Sequence, residues 1–168
     1  MKMSTRQKIK FCVFTILFIP LLYSTQVVYA GLNDDLAKAV LVCDTNRAKQ
    51  LVSQGANVNA KDEKGRTMLI FFAAMGLSDS NIELLIDLGA DVNTRDSEGI
   101  TALMATSGGD FWAGGNPEED YIGGVEILIR NGADVNAVDN HGYTALMFAE
   151  DVGFKKIARM LKRAGARK

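Results

Sequence analysis

The stretch from Gly89 to Leu103, GADVNTRDSEGITAL, constrains this chain more than any other, because near copies stand on both sides of it. One begins at Gly55 (GANVNAKDEKGRTML), another at Gly132 (GADVNAVDNHGYTAL), and a fourth starts at Gly165. Successive glycines lie 34, 43 and 33 residues apart, which is a period near 33 with one local insertion. Self-similarity at this period implies a stack of small units, each unable to bury its own apolar face without a neighbour.

The recurring residues have physical reasons. Gly55, Gly89 and Gly132 follow helical segments, where a left-handed residue ends a helix and glycine alone takes that conformation without penalty. Asp62, Asp96 and Asp139 each precede a glycine by three residues and suit a tight turn in which the carboxylate bonds its own backbone. Thr67, Thr101 and Thr144 stand where the next helix begins, and a hydroxyl there caps orphan amides. Apolar residues at helical spacing, Ile82, Leu85 and Ile86 and then Val125, Leu128 and Ile129, read as core. Before Gly55, Asp34 to Val42 and Arg47 to Ser53 predict a helix pair that opens the stack. In the last unit the stripe becomes Ala158, Leu161 and Lys162, a charge that suits a terminal cap.

Taken together these positions resemble the ankyrin repeat, and the resemblance covers almost everything after residue 31. It implies an all-α repeat solenoid of helix-turn-helix pairs joined by β-hairpin fingers. The expected divisions are a cap repeat over 31–64, repeats over 65–98 and 99–141, and a second cap over 142–168. Where the family has proline after the threonine this chain has Met68, Ala102 and Ala145, and where it has histidine it has Ile70, Met104 and Met147. More apolar packing between neighbours is therefore expected. Partners of the family usually contact hairpin tips and the inner face of the first helices. That carry-over points to Arg66, Met75, Arg95, Ile100, Val138, His141 and Tyr143 as partner-binding residues.

Residues 1–30 read as a secretory signal. Lys2, Arg6, Lys8 and Lys10 form a basic start, Phe11 to Tyr23 an apolar run, and Val28-Tyr29-Ala30 a cleavage site after Ala30. The run is too short for the span of about 20 residues that a membrane helix needs. The expected compartment is the periplasm, or the exterior if the cell has one membrane. The whole chain has 19 basic and 20 acidic residues; four of the basic ones and no acids lie in 1–30, leaving 15 against 20. A mildly acidic surface gives no general reason to bind nucleic acid. Of the two cysteines only Cys43 lies beyond the signal, so no internal disulfide is expected. It occupies a turn position that the family usually gives to glycine, and is read as a tolerated thiol.

The period breaks only at 107–124, SGGDFWAGGNPEEDYIGG, which carries about ten extra residues between the two helices of one repeat. It holds the single tryptophan, Trp112, with Phe111 and Tyr121. These aromatics are read as partner anchors, the alternative being that Trp112 or Phe111 folds back to cover a gap between repeats. Its acids Asp110, Glu118, Glu119 and Asp120 lack the alternation of a calcium loop, and its glycines spell no phosphate loop. Nothing assembles a nucleophile, a metal set or a cofactor fingerprint, so neither catalysis nor a cofactor is expected. The leading expectation is an exported module that binds a protein. An immunity protein neutralising a toxin or enzyme is the alternative; a hydrolase or metal-dependent activity in the insertion is the contrasting reading. Lys155, Lys156, Arg159, Lys162, Arg163, Arg167 and Lys168 concentrate positive charge at the end of the chain. They suit a soluble end cap, with anionic membrane contact as the lesser reading.

Overall fold

The computed structural model describes residues 31–108 and 117–167. The signal segment 1–30, with its cleavage site, and Phe111 and Trp112 lie outside the described residues. Among these residues the chain forms helices α1 (Leu32–Leu41), α2 (Thr45–Ser53), α3 (Met68–Ala74), α4 (Asp79–Asp87), α5 (Ala102–Ser107), α6 (Glu119–Arg130), α7 (Ala145–Asp151) and α8 (Lys155–Arg163). They make four antiparallel pairs. First helices pack on first helices, α3 on α5 and α5 on α7, and second on second, α4 on α6 and α6 on α8.

Most of the short helices begin on side-chain caps. Thr67, Thr101 and Thr144 accept from the amides of Ile70, Met104 and Met147, each at 3.3 Å, and Asp44 accepts from Arg47 at 3.0 Å. The closing glycines Gly55, Gly89, Gly132 and Gly165 have φ of 101, 92, 84 and 94°, as left-handed terminators require. One continuous core runs through the pairs: Leu36, Leu51, Leu69, Ile82, Leu85, Leu103, Val125, Leu128, Leu146, Ile157 and Leu161 are all buried. Met68, Ala102, Ala145, Ile70 and Met104, the positions where this chain departs from the family pattern, are buried with them, and Met147 is half-buried. The departures therefore lie in the packing between neighbouring units.

Two expectations need correction. The β-hairpin fingers are not strands: among the described residues the only pairing is an isolated antiparallel bridge between Val138 and Thr144. Each finger is instead a turn around one aspartate. Asp62 N–H donates to Arg66 O, Asp96 N–H to Ile100 O and Asp139 N–H to Tyr143 O, at 2.9, 3.0 and 2.9 Å. The carboxylate inside accepts two more amides, as those of Lys64 and Arg66 on Asp62 at 2.9 and 2.8 Å. The segment is too short for a ladder, and neighbouring turns bond tip to tip, Ser97 N–H to Lys64 O and Asn140 N–H to Glu98 O.

The second correction concerns 107–124. Its final third is helix, since α6 starts at Glu119 and runs 12 residues where α4 and α8 have nine. Pro117 sets a helical φ at the entry, and Glu119 and Asp120 place acids in the first turn. Gly123 and Gly124 stay within the helix because α4 leaves no room for side chains there: the Asp79 carboxylate and the Ile82 Cδ1 occupy those positions.

Candidate functional site

The finger turns and the first helices share one surface. Arg66 lies over the Phe71 ring at 5.8 Å, and Tyr143 packs on Phe148 with ring centroids 5.5 Å apart. Between those aromatics the middle repeat contributes small groups, Ala105 and Gly108, with Phe148 Cδ1 set directly against Gly108. Half-buried Met75 and Ile100 belong to the same finger and first-helix segments. Five large apolar residues are well exposed among those described, and three of them, Val138 (42%), Tyr143 (41%) and Val152 (37%), are in the last finger and first helix. The last repeat thus contributes three of the five, while Val42 (50%) stands in the first helix pair at the position equivalent to Val152. An open depression of about 380 Å³ lined by His141, Tyr143, Met147, Glu150 and Asp151 lies there, beside another of about 440 Å³ that includes Val138 and Arg167.

The residues expected to contact a partner divide into three groups. Met75, Ile100, Val138, His141 and Tyr143 lie in the finger and first-helix segments with side chains at least partly accessible. Arg66 and Arg95 are there too, but each already has a structural task. Arg66 is held by Asp62 at 2.7 Å, and the Arg95 guanidinium donates to the backbone carbonyl of Val138 in the next finger. Lys61 does the same one unit earlier, reaching Arg95 O at 2.9 Å. Tyr121 is misassigned: it is 1% exposed, buried between Gly76 and Phe154, whose ring centroid is 5.7 Å away. It fills the junction between α6 and the last helix pair, so it covers a gap and is no free anchor. The gap-filling alternative concerns Phe111 and Trp112, which lie outside the described residues.

Charged groups of the former insertion also hold the stack together. Glu118 accepts the backbone amides of Lys156 and Ile157, the latter at 2.9 Å, and so caps α8, which has no cap in its own sequence. Glu119 pairs with Lys156 at 2.7 Å; that contact holds the Glu119 carboxyl below, and the Lys156 amine above, its ordinary range. Two of the acids considered for a cation are therefore engaged elsewhere. Among the described residues no group of three His, Cys, Asp or Glu side chains converges as metal ligands would. No helix among them is long and apolar enough to cross a membrane.

A repeated feature that sequence reading did not single out is a ladder of asparagines. Asn59 donates to Gly89 O and accepts from Asp91 N–H, at 3.0 and 2.9 Å. Asn93 repeats this with Gly132 and Asp134 at 3.0 and 2.8 Å, and Asn136 with Gly165 and Arg167 at 3.3 and 2.9 Å. The visible signal was their recurrence four residues after each closing glycine.

No curated protein matches the sequence. Residues 36–113 match the family model described as ankyrin repeats (3 copies). The stacked helix pairs, capped first helices and aspartate-centred turns agree with that match and extend beyond it to residue 167. Over residues 36–113, then, this chain consists of ankyrin repeats.

Proposed function

We propose that this protein, an interaction module by its family, is exported and holds one protein partner against the face made by its finger turns and first helices. The observation that carries the reading is that Val138, Tyr143 and Val152 are all accessible in the last finger and at the end of its first helix, with Tyr143 packed on Phe148. Aromatic and branched side chains left in water at one end of a rigid scaffold are what a hot spot requires. Rigid helices beneath them reduce the ordering entropy that association must overcome. Export rests on the basic start, the apolar run and the small residues before Gly31, and puts the partner in the periplasm or outside the cell. Phe111 and Trp112, in the segment joining Gly108 to Pro117, are the proposed extension of this contact surface.

The test is affinity capture from envelope extract with the wild-type protein and with a Val138→Ala/Tyr143→Ala variant whose fold is checked by circular dichroism. One protein retained stoichiometrically by the wild type, and bound at least about tenfold more weakly by the variant, supports the reading. Equal retention by both forms would place the contact elsewhere. If the retained protein is a toxin or enzyme whose activity falls on binding, the role narrows to inhibition.

A further inference from the structure

The layer of second helices carries a charge pattern that the finger face does not use. Asp79, Glu83 and Asp87 follow one another at four-residue steps along α4; all three residues are exposed, although the Asp79 carboxyl is partly covered by α6. Lys155, Arg159 and Arg163 do the same along α8. The two rows occupy equivalent positions, counted back from the closing glycines Gly89 and Gly165. α6 packs against both helices and keeps the rows apart within one molecule.

The charges of these rows are poorly answered inside the chain. Lys156 and Lys162 beside the basic row are neutralised by Glu119 and Glu150, each at 2.7 Å. Among the described residues Lys155, Arg159 and Arg163 have no carboxylate within 4 Å. On the acidic side, among the described residues, only Glu83 has a cation, Arg130 at 3.0 Å. The Asp79 carboxyl rests against Gly123, and burial, then Glu83 and Glu126, push its pKa up.

We propose that this outer face is self-complementary and pairs two copies of the chain about a two-fold axis running along α6. Such an axis exchanges left and right across the face but preserves height along the helices. α4 of each copy then lies over α8 of the other, in register. Asp79 comes opposite Lys155, Glu83 opposite Arg159 and Asp87 opposite Arg163, and symmetry makes every pair twice. Steps of four residues advance about 6 Å along both helices, so a match at one pair carries to the next. Near the axis the same symmetry sets Arg130 level with Arg130 and Glu126 level with Glu126, with the opposite charge one turn away, so the flanking rows carry the attraction. Each exposed pair is weak alone and screened by salt, so the contact is a low-affinity dimer that salt disperses.

Sedimentation of the protein purified after expression of the full chain tests this. A dimer is expected near about 50 mM salt and a monomer near about 500 mM, where the screening length is much shorter. Arg159→Glu alone and Glu83→Arg alone should each weaken dimerisation at least about tenfold. A chain carrying both substitutions should recover to within about threefold of wild type, since each reversed charge meets the other across the axis. Thermal unfolding verifies that the variants are folded. A wild type that stays monomeric at low salt, or a folded double variant that fails to recover, overturns the proposal. Monomer that binds anionic vesicles through the basic row overturns it in favour of a lipid surface. The Val138→Ala/Tyr143→Ala variant should dimerise normally, which separates this contact from the proposed partner site.

Discussion

Cys43 is the one non-glycine among the described residues with a positive φ, 54°, at a turn where the equivalent Gly76 and Gly153 have 57 and 80°. A Cβ in that conformation is strained, so Cys43→Gly should stabilise the protein by about 0.5–1 kcal/mol, read as a rise in Tm. The thiol, which burial pushes up in pKa, accepts from Asn81 Nδ2 at 3.3 Å, a weak contact whose loss does not offset the gain. Asp79 provides a second residue-level test. Its carboxyl has a raised pKa in the folded chain, so the folded state binds the proton more tightly than the unfolded one. The resulting penalty is present above the folded pKa and is relieved as pH falls through it. Asp79→Asn should therefore melt higher than wild type at neutral pH in dilute protein, the difference closing in acid. At this scale the aspartates, threonines and closing glycines were legible in the sequence because each acts within its own turn. Asn59, Asn93 and Asn136 were not, because their partners lie a repeat away and recurrence alone does not name them.

α6 is where an element differs most from its sequence reading. Glycines, aromatics and acids between 107 and 124 have the composition of a loop, yet Tyr121 faces inward from a helix that starts at Glu119. Burial against Phe154, a residue of the next repeat, decides the conformation there, and local composition does not report it. Tyr121→Ala should cost about 3–5 kcal/mol by denaturant unfolding, as removal of a fully buried aromatic does. The N-terminus of α8 depends on the same segment through Glu118. Glu118→Ala should cost about 1 kcal/mol and raise hydrogen exchange at Lys156 and Ile157 before the rest of the stack.

In the whole molecule, stability belongs to the junctions between neighbouring units, and the asparagine ladder spans the described repeats from Asn59 to Arg167. Asn93→Ala removes both bonds of one rung, and about 1–3 kcal/mol should be lost, with unfolding less cooperative across that junction. The stacked array itself was legible because a period near 33 leaves few alternatives; the fingers differ from expectation because a single aspartate closes each turn without a ladder. Such a stack exposes two long faces, one of finger turns and first helices with accessible Val138 and Tyr143 and one charged. The decisive measurement is photocrosslinking in producing cells, with a probe at Val138 on the finger face and another at Glu126 on the outer layer. The account predicts that the Val138 probe captures one other protein and the Glu126 probe only a second copy of the chain. Capture of the other protein from Glu126, with none from Val138, would contradict it.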